Sequence, residues 1–266
     1  DLSMSVSSPY PLTQMQLAQT NSTHSNQLVL SHYFHKTDPR QTFAQYAKST
    51  GQTLASVKQQ FSATGMMRCY DTSRGGYEQI TAQVVGRQNL IVGAAHVFFN
   101  ADCTPREVRR CEFHLLSQPR RIFKIDNIVI KACVKLSGDS LNDWFVAELK
   151  APTPAIPYLV PQGAVLPTVG DQLVQVAAEA VNGFPTTPNI VACSVRDVSY
   201  RLAPYLTDCS TGHGASGAAQ LQPSATLKNR WVLNAIVSAE SPTGHDGGEF
   251  NVHGGGYTTS APVNGK

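Results

Sequence analysis

Short apolar runs, many of them alternating with polar positions, dominate the chain from about residue 66 onward. EQITAQVV, NLIVGAA, IVIKACVKL and WFVAEL lie before residue 150, and QLVQVAAEAV, NIVACSVRDV, AAQLQ, WVLNAIVSA and EFNVHGGGYTT lie beyond it. Successive side chains of an extended backbone point to opposite faces, so runs of this length and period predict strands. Between the two sets stands APTPAIPYLVPQGAVLPTVG, residues 151–170, whose prolines and glycines mark a linker. About six strands on either side of a linker predict two small β-barrels or sandwiches, at 66–150 and 151–266.

The period changes upstream. In QTFAQYAKSTGQTLASVKQQF, residues 41–61, Phe43, Tyr46, Ala47, Leu54, Val57 and Phe61 share one face of a helix, despite Gly51. The Asp38-Pro39 pair is a candidate start for that helix. Residues 1–40 are rich in Ser, Thr, Gln and Asn, carry little periodicity and read as loop or extended tail. Residues 1–65 therefore form an N-terminal extension, either a pro-segment or a strap packed on the strands. Its apolar helical face favours packing.

Composition narrows the class. The 266 residues suffice for one large or two small domains, and charged residues make up only 15 %. The 20 glycines and 16 prolines fit many short strands and turns better than long helices. A net charge of +3 is too small to imply nucleic acid, and no apolar run approaches the roughly 18 residues of a membrane span. There is no internal repeat. Six cysteines, Cys69, Cys103, Cys111, Cys133, Cys193 and Cys209, contain no CxxC pair, which argues against zinc and for disulfides in an oxidising compartment. No basic, apolar leader opens the sequence, so an exported chain already stripped of its signal peptide is expected.

Two further features carry bland readings beside functional ones. Arg106, Arg109, Arg110, Arg120, Arg121 and Lys124 crowd residues 105–124, either as an anion-binding patch or as a solvated strand pair with its loop. His32 with His35, and His245 with Asp246 and His253, have no recognised ligand spacing and default to polar loop, with no metal or cofactor expected.

The chemistry concentrates in TGHGASGAAQL, residues 211–221, where small residues surround Ser216. Acyl transfer by a serine needs a base for its proton, an acid to orient that base, and backbone donors for the oxyanion. IVGAAHVFF ends an apolar strand on small residues and then presents His96. LNDWFVAELK places Asp143 at the start of another strand. A carboxylate there is costly to bury unless it is hydrogen-bonded.

In the order His, Asp, Ser, the blocks GAAHVFF, NDWFVAELK and GHGASGA resemble those of the chymotrypsin-like serine proteases. The short interval from Asp143 to Ser216 looks like the compact bacterial branch that includes the glutamyl endopeptidases. CSVRDVSYRLAPYLTDCSTGHGASG is similar to that branch's nucleophile-loop pattern. The resemblance covers roughly residues 66–260. It implies an all-β fold of two six-stranded antiparallel barrels and a secreted or periplasmic serine endopeptidase, monomeric, acting on protein or peptide.

The resemblance also implies roles. Ser216 is the nucleophile, His96 the base and Asp143 its orienting acid, with the N–H groups of Gly214 and Ser216 as the oxyanion hole. Ser210 and Thr211 would lie at the base and wall of the primary pocket, with Ser238, Ala239, Glu240 and Gly255 opposite. Val237 aligns with the wall histidine of the glutamate-cleaving branch, for which His213 or His253 would have to substitute. Ala215 stands where the trypsin subgroup has the aspartate that pairs with a freed N-terminus, so activation by that route is not expected. The resemblance implies a Cys193–Cys209 bridge. Cys103 with Cys111 would close a short loop after His96, leaving Cys69 with Cys133. A second reading keeps the fold but makes the chain a catalytically degenerate binding protein. A third makes it a precursor held inactive by residues 1–65.

Overall fold

Alternation along the chain becomes antiparallel pairing in two closed sheets. The computed structural model describes residues 38–100, 102–131, 143–161, 167–179, 187–198, 205–212, 214–241 and 257–262. Strands β1 (Thr64–Asp71), β2 (Gly76–Val84), β3 (Leu90–Gly93), β4 (Val108–Leu115), β5 (Gln118–Lys131) and β6 (Phe145–Leu149) form the first barrel, in the order β1-β2-β3-β6-β5-β4. Strands β7 (Gln172–Glu179), β8 (Thr187–Val198), β9 (Tyr205–Thr207), β10 (Ala219–Pro223), β11 (Trp231–Ser241) and β12 (Tyr257–Pro262) form the second, in the order β10-β11-β12-β9-β8-β7. The basic segment 105–124 falls on the β4–β5 strand pair and its approach, where Ile122 stands 53 % exposed beside the buried Phe123. Strands β1, β4 and β9 are not separately visible in the alternation. Among the described residues no helix is long and apolar enough to cross a membrane.

β2 explains how the barrels meet. Its residues Ile80, Ala82 and Val84 are core, as an alternating strand requires, yet the intervening Thr81 and Gln83 are also fully buried. The face that a lone barrel would give to water is covered by the second barrel. Thr81 Oγ1 accepts a hydrogen bond from Ala178 N–H of β7 at 2.8 Å, and Gln83 Nε2 donates to the Gly217 carbonyl at 2.6 Å.

The helical segment departs from the single helix expected over 41–61. It forms α1 (Phe43–Thr50) and α2 (Leu54–Gln60), because Gly51 ends the first at φ 67°, in the left-handed region, and Thr53 caps the second. The start is set by Thr42 rather than by Asp38-Pro39. Thr42 Oγ1 accepts from Gln45 N–H while Gln45 Oε1 accepts from Thr42 N–H, a reciprocal capping box. Leu54 points outward at 40 % exposure, whereas Phe43, Ala47, Val57 and Phe61 join a core cluster that includes Ile190, Leu221 and Leu233 of the second barrel. The ring of Phe61 packs against Phe43, Tyr46 and Trp231. Just before α1, Gln41 and Ile190 exchange two backbone hydrogen bonds of 2.8 and 2.7 Å.

The connection between the barrels is also built in. Tyr158 N–H donates to Val84 O, the next residue's N–H donates to Trp231 O, and the buried Tyr158 hydroxyl lies 2.7 Å from Thr64 Oγ1. Burial holds that phenol neutral by raising its pKa.

Two disulfides are described in full, Cys69–Cys111 and Cys193–Cys209. The first corrects the expected pairings of Cys103 with Cys111 and of Cys69 with Cys133. Cys69 on β1 lies beside Cys111 on the adjacent β4, with Cα atoms 4.1 Å apart, where the β1–β4 register shifts between Arg68 and Tyr70. Cys103 is also disulfide-bonded, and Cys133 lies outside the described residues.

Replacing Phe61 with Ala is expected to cost about 3–5 kcal/mol, since it empties a fully enclosed ring site shared by the helices and both barrels. A fall of that size in the unfolding free energy from urea denaturation checks it; a loss below about 1 kcal/mol would contradict the packing described.

Candidate active site

Strand register brings a histidine and a carboxylate together. β3 pairs with β6 so that Gly93 faces Phe145, and a Cβ on Gly93 would stand 2.7 Å from the Phe145 ring. Three residues after Gly93, His96 sits on the 3-10 turn Ala95–Phe98; two residues before Phe145 comes Asp143. His96 Nδ1 lies 2.8 Å from Asp143 Oδ2, and the His96 backbone N–H donates to Asp143 Oδ1 at 2.9 Å. A carboxylate only accepts, so Nδ1 carries the proton and Nε2 is left as the acceptor.

The carboxylate is almost fully enclosed, at 1 % exposure, and takes a third bond from Ser238 Oγ at 2.6 Å. Burial alone would raise its pKa; the facing His96 and the bonds from His96 and Ser238 outweigh that and hold it below the ordinary carboxylate value. Burial alone would likewise lower the pKa of His96. The Asp143 charge and bond overcome this, with Arg106 opposing and Glu78 assisting, so the imidazole titrates above its ordinary 6.5.

Ser216 stands half-buried on the same cleft as His96, a space of about 250 Å³. Its loop is held by the first barrel. Thr81 N–H donates to both the Gly214 and Ser216 carbonyls at 3.1 and 2.9 Å, and Thr81 Oγ1 donates to the Gly214 carbonyl at 2.8 Å. Gly214 and Gly217 lie at φ 97° and 79°, which L side chains rarely adopt. A Cβ on Gly217 would collide with the Thr81 carbonyl oxygen and stand 2.9 Å from Ala94 N. The amides of Ala215, Gly217 and Ala218 are bound to the Gly212, Val237 and Ala215 carbonyls. Ala215 itself packs with Ala177, Ala218 and Val237, so this position is apolar.

The remaining sequence-derived positions divide. Thr211 and Val237 line the cleft, while Ser210 is fully enclosed, with its carbonyl bound by Gln175 Nε2 at 3.0 Å. Ser238 gives its hydroxyl to Asp143. Ala239 and Glu240 continue β11, paired with Thr259 and Thr258 of β12. His213, Gly255, His32, His35, His245, Asp246 and His253 lie outside the described residues.

Sequence reasoning missed Thr81 and Gln83 as supports of the Ser216 loop, Ser238 as a donor to Asp143, and Glu78 in the cleft wall; Arg106, singled out only as part of the basic segment, lines that wall too. The polar positions inside EQITAQVV were the available signal for the first two.

No family profile and no curated protein matches this sequence. Solved structures do match its fold. A thermostable serine protease, AL20, from an extremophilic microorganism aligns with a TM-score of 0.56 at 12 % identity, over 77 % of this chain and 92 % of that one. The protease Anisep from Arthrobacter nicotinovorans aligns with a TM-score of 0.55 at 10 % identity, over 76 % and 90 %. At such identities the likeness is one of fold, and the fold is chymotrypsin-like.

Thr81→Val keeps the side-chain shape but strips the hydroxyl from the buried Ala178 amide and the Gly214 carbonyl, an expected loss of about 1–3 kcal/mol. Thr81→Ser should lose less, and Gly217→Ala should lose more than either. Chemical denaturation of the three variants gives the ranking; equal stability of Thr81→Val and wild type would contradict the clamp.

Proposed function

We propose that the chain is a serine endopeptidase of the compact bacterial, glutamyl-endopeptidase-like kind, exported to an oxidising compartment. The observation that carries this is the pairing of His96 Nδ1 with Asp143 Oδ2 at 2.8 Å. Asp143 holds Nδ1–H, leaving a basic Nε2 in the cleft that Ser216 shares. The disulfides support the compartment.

In this reading the Ser216 hydroxyl gives its proton to His96 Nε2 as Oγ bonds to the scissile carbonyl carbon. The carbonyl oxygen becomes an oxyanion, and the N–H groups of Gly214 and Ser216 donate to it. His96 then passes the proton to the leaving nitrogen as the C–N bond breaks. Water repeats the sequence on the acyl-enzyme and restores Ser216. Asp143 stays ionised throughout and stabilises the imidazolium. Thr211 and Val237 offer the cleft surface for the side chain that precedes the scissile bond. The polar contacts of Thr81 hold the loop in its working shape.

A fluorophosphonate probe is expected to label the wild-type chain and not Ser216→Ala; labelling of that variant at wild-type yield would refute the nucleophile. The catalytic form of His96 is neutral, and its folded pKa is raised. Activity should therefore fall as pH drops, with the acid limb of kcat/KM centred above 6.5. Asp143→Asn, which leaves the wrong tautomer, should lower kcat by on the order of 10⁴-fold. An acid limb at or below 6.5, measured with a peptide ester or amide, would contradict the coupling to Asp143.

A further inference from the structure

The cleft wall on the first barrel carries an arginine that the triad does not use. Arg106 lines the space shared by His96 and Ser216, and its side chain is 15 % exposed. Its backbone is fixed, with Arg106 N–H donating to Phe98 O at 2.8 Å at the end of the turn that bears His96. The loop before it is braced by Asn100 N–H to Thr104 O at 2.9 Å and by the bridge of Phe99 with Pro105.

The charge balance of this wall is uneven. Arg106 NH1 lies 3.1 Å from Glu78 Oε1, but the same oxygen takes Arg74 NH1 at 2.9 Å. One carboxylate oxygen thus serves two guanidiniums. Asp71, 1 % exposed, lies 3.8 Å from Arg74 Nε, and neither it nor Arg74 lines the cleft. Among the described residues, the buried Arg106 Nε has no hydrogen-bond partner.

Resting on the endopeptidase reading, we propose that Arg106 forms a leaving-side subsite that favours a carboxylate on the part of the substrate following the scissile bond. The acyl half is held by the second barrel, through the Gly214 and Ser216 amides and the surface of Thr211 and Val237. The departing half leaves past His96, along the wall of Glu78, Ile80 and Arg106. A guanidinium with one neutralising oxygen among the described residues, itself shared, retains capacity for a second, and its planar fork suits a carboxylate. The carboxylate has two sources, an Asp or Glu side chain or the free C-terminus of a short product half.

The test uses peptides identical up to the scissile bond, with Asp, Ala or Lys two residues beyond it and an amidated end, plus the Ala peptide with a free C-terminus. The Asp peptide should exceed the Lys peptide in kcat/KM by about tenfold or more. The ratio should shrink as salt is raised and collapse toward one in Arg106→Gln. Preference for the free-acid Ala peptide alone would assign the subsite to the C-terminus, and preference for both would assign it to either source. The same peptides are also titrated onto Ser216→Ala by fluorescence anisotropy, which reads the subsite without hydrolysis. Carboxylate preference in binding with no cleavage by wild type would sink the protease reading and keep the subsite. Cleavage with equal rates for Asp and Lys peptides and an uncharged-end preference would sink the subsite and keep the protease. A wild-type ratio that ignores salt, or one that survives Arg106→Gln, also overturns it.

Discussion

The arrangement of the candidate site depends on Thr81. This buried residue of β2 reaches out of the first barrel, accepts from β7 and donates to two carbonyls of the loop that carries Ser216. His96 and Asp143 belong to the first barrel, and Ser216 belongs to the second. Two domains joined only by apolar contact could slide, because such contact is non-directional. The Thr81 bonds are directional, and with Gln83 they fix the height and tilt of the Ser216 loop against β2. A polar seam inside an apolar core is costly unless its groups are satisfied. Here they mostly are, although Gln83 Oε1 is buried without a partner among the described residues.

The pairing of His96 with Asp143 works in the same enclosed setting. Each group alone would be driven toward its neutral form by burial. Together, and with Ser238, they shift in opposite directions, the acid downward and the imidazole upward. The protein thereby obtains a carboxylate that stays ionised and a base that is stronger than free imidazole, from groups that composition alone would make ordinary.

The sequence carried much of this. Alternating apolar runs foretold most of the strands, and the blocks around His96, Asp143 and Ser216 pointed to the barrels that bring the first two into contact. What stayed hidden has physical causes. Alternation cannot tell water from a neighbouring domain, so the polar face of β2 looked solvated. Helical periodicity passed over Gly51 because Phe43, Val57 and Phe61 are buried on both sides of the break. Cys69 and Cys111 are distant in sequence but adjacent across β1 and β4, a neighbour relation that only sheet order reveals. Ser238 read as pocket wall because nothing local shows which face of β11 meets Asp143.

The N-terminal helices have a mechanical consequence. Phe61 is wedged among Phe43, Tyr46 and Trp231, Gln41 is stitched to Ile190, and Tyr158 lies against Val84 just before the chain crosses to β11. These braces resist any hinge between the halves, so the groove between them has little freedom to gape. On the proposed function, a polypeptide substrate would have to arrive already unwound or protrude as a loose loop, and folded cargo would be spared by geometry before any side-chain preference is consulted.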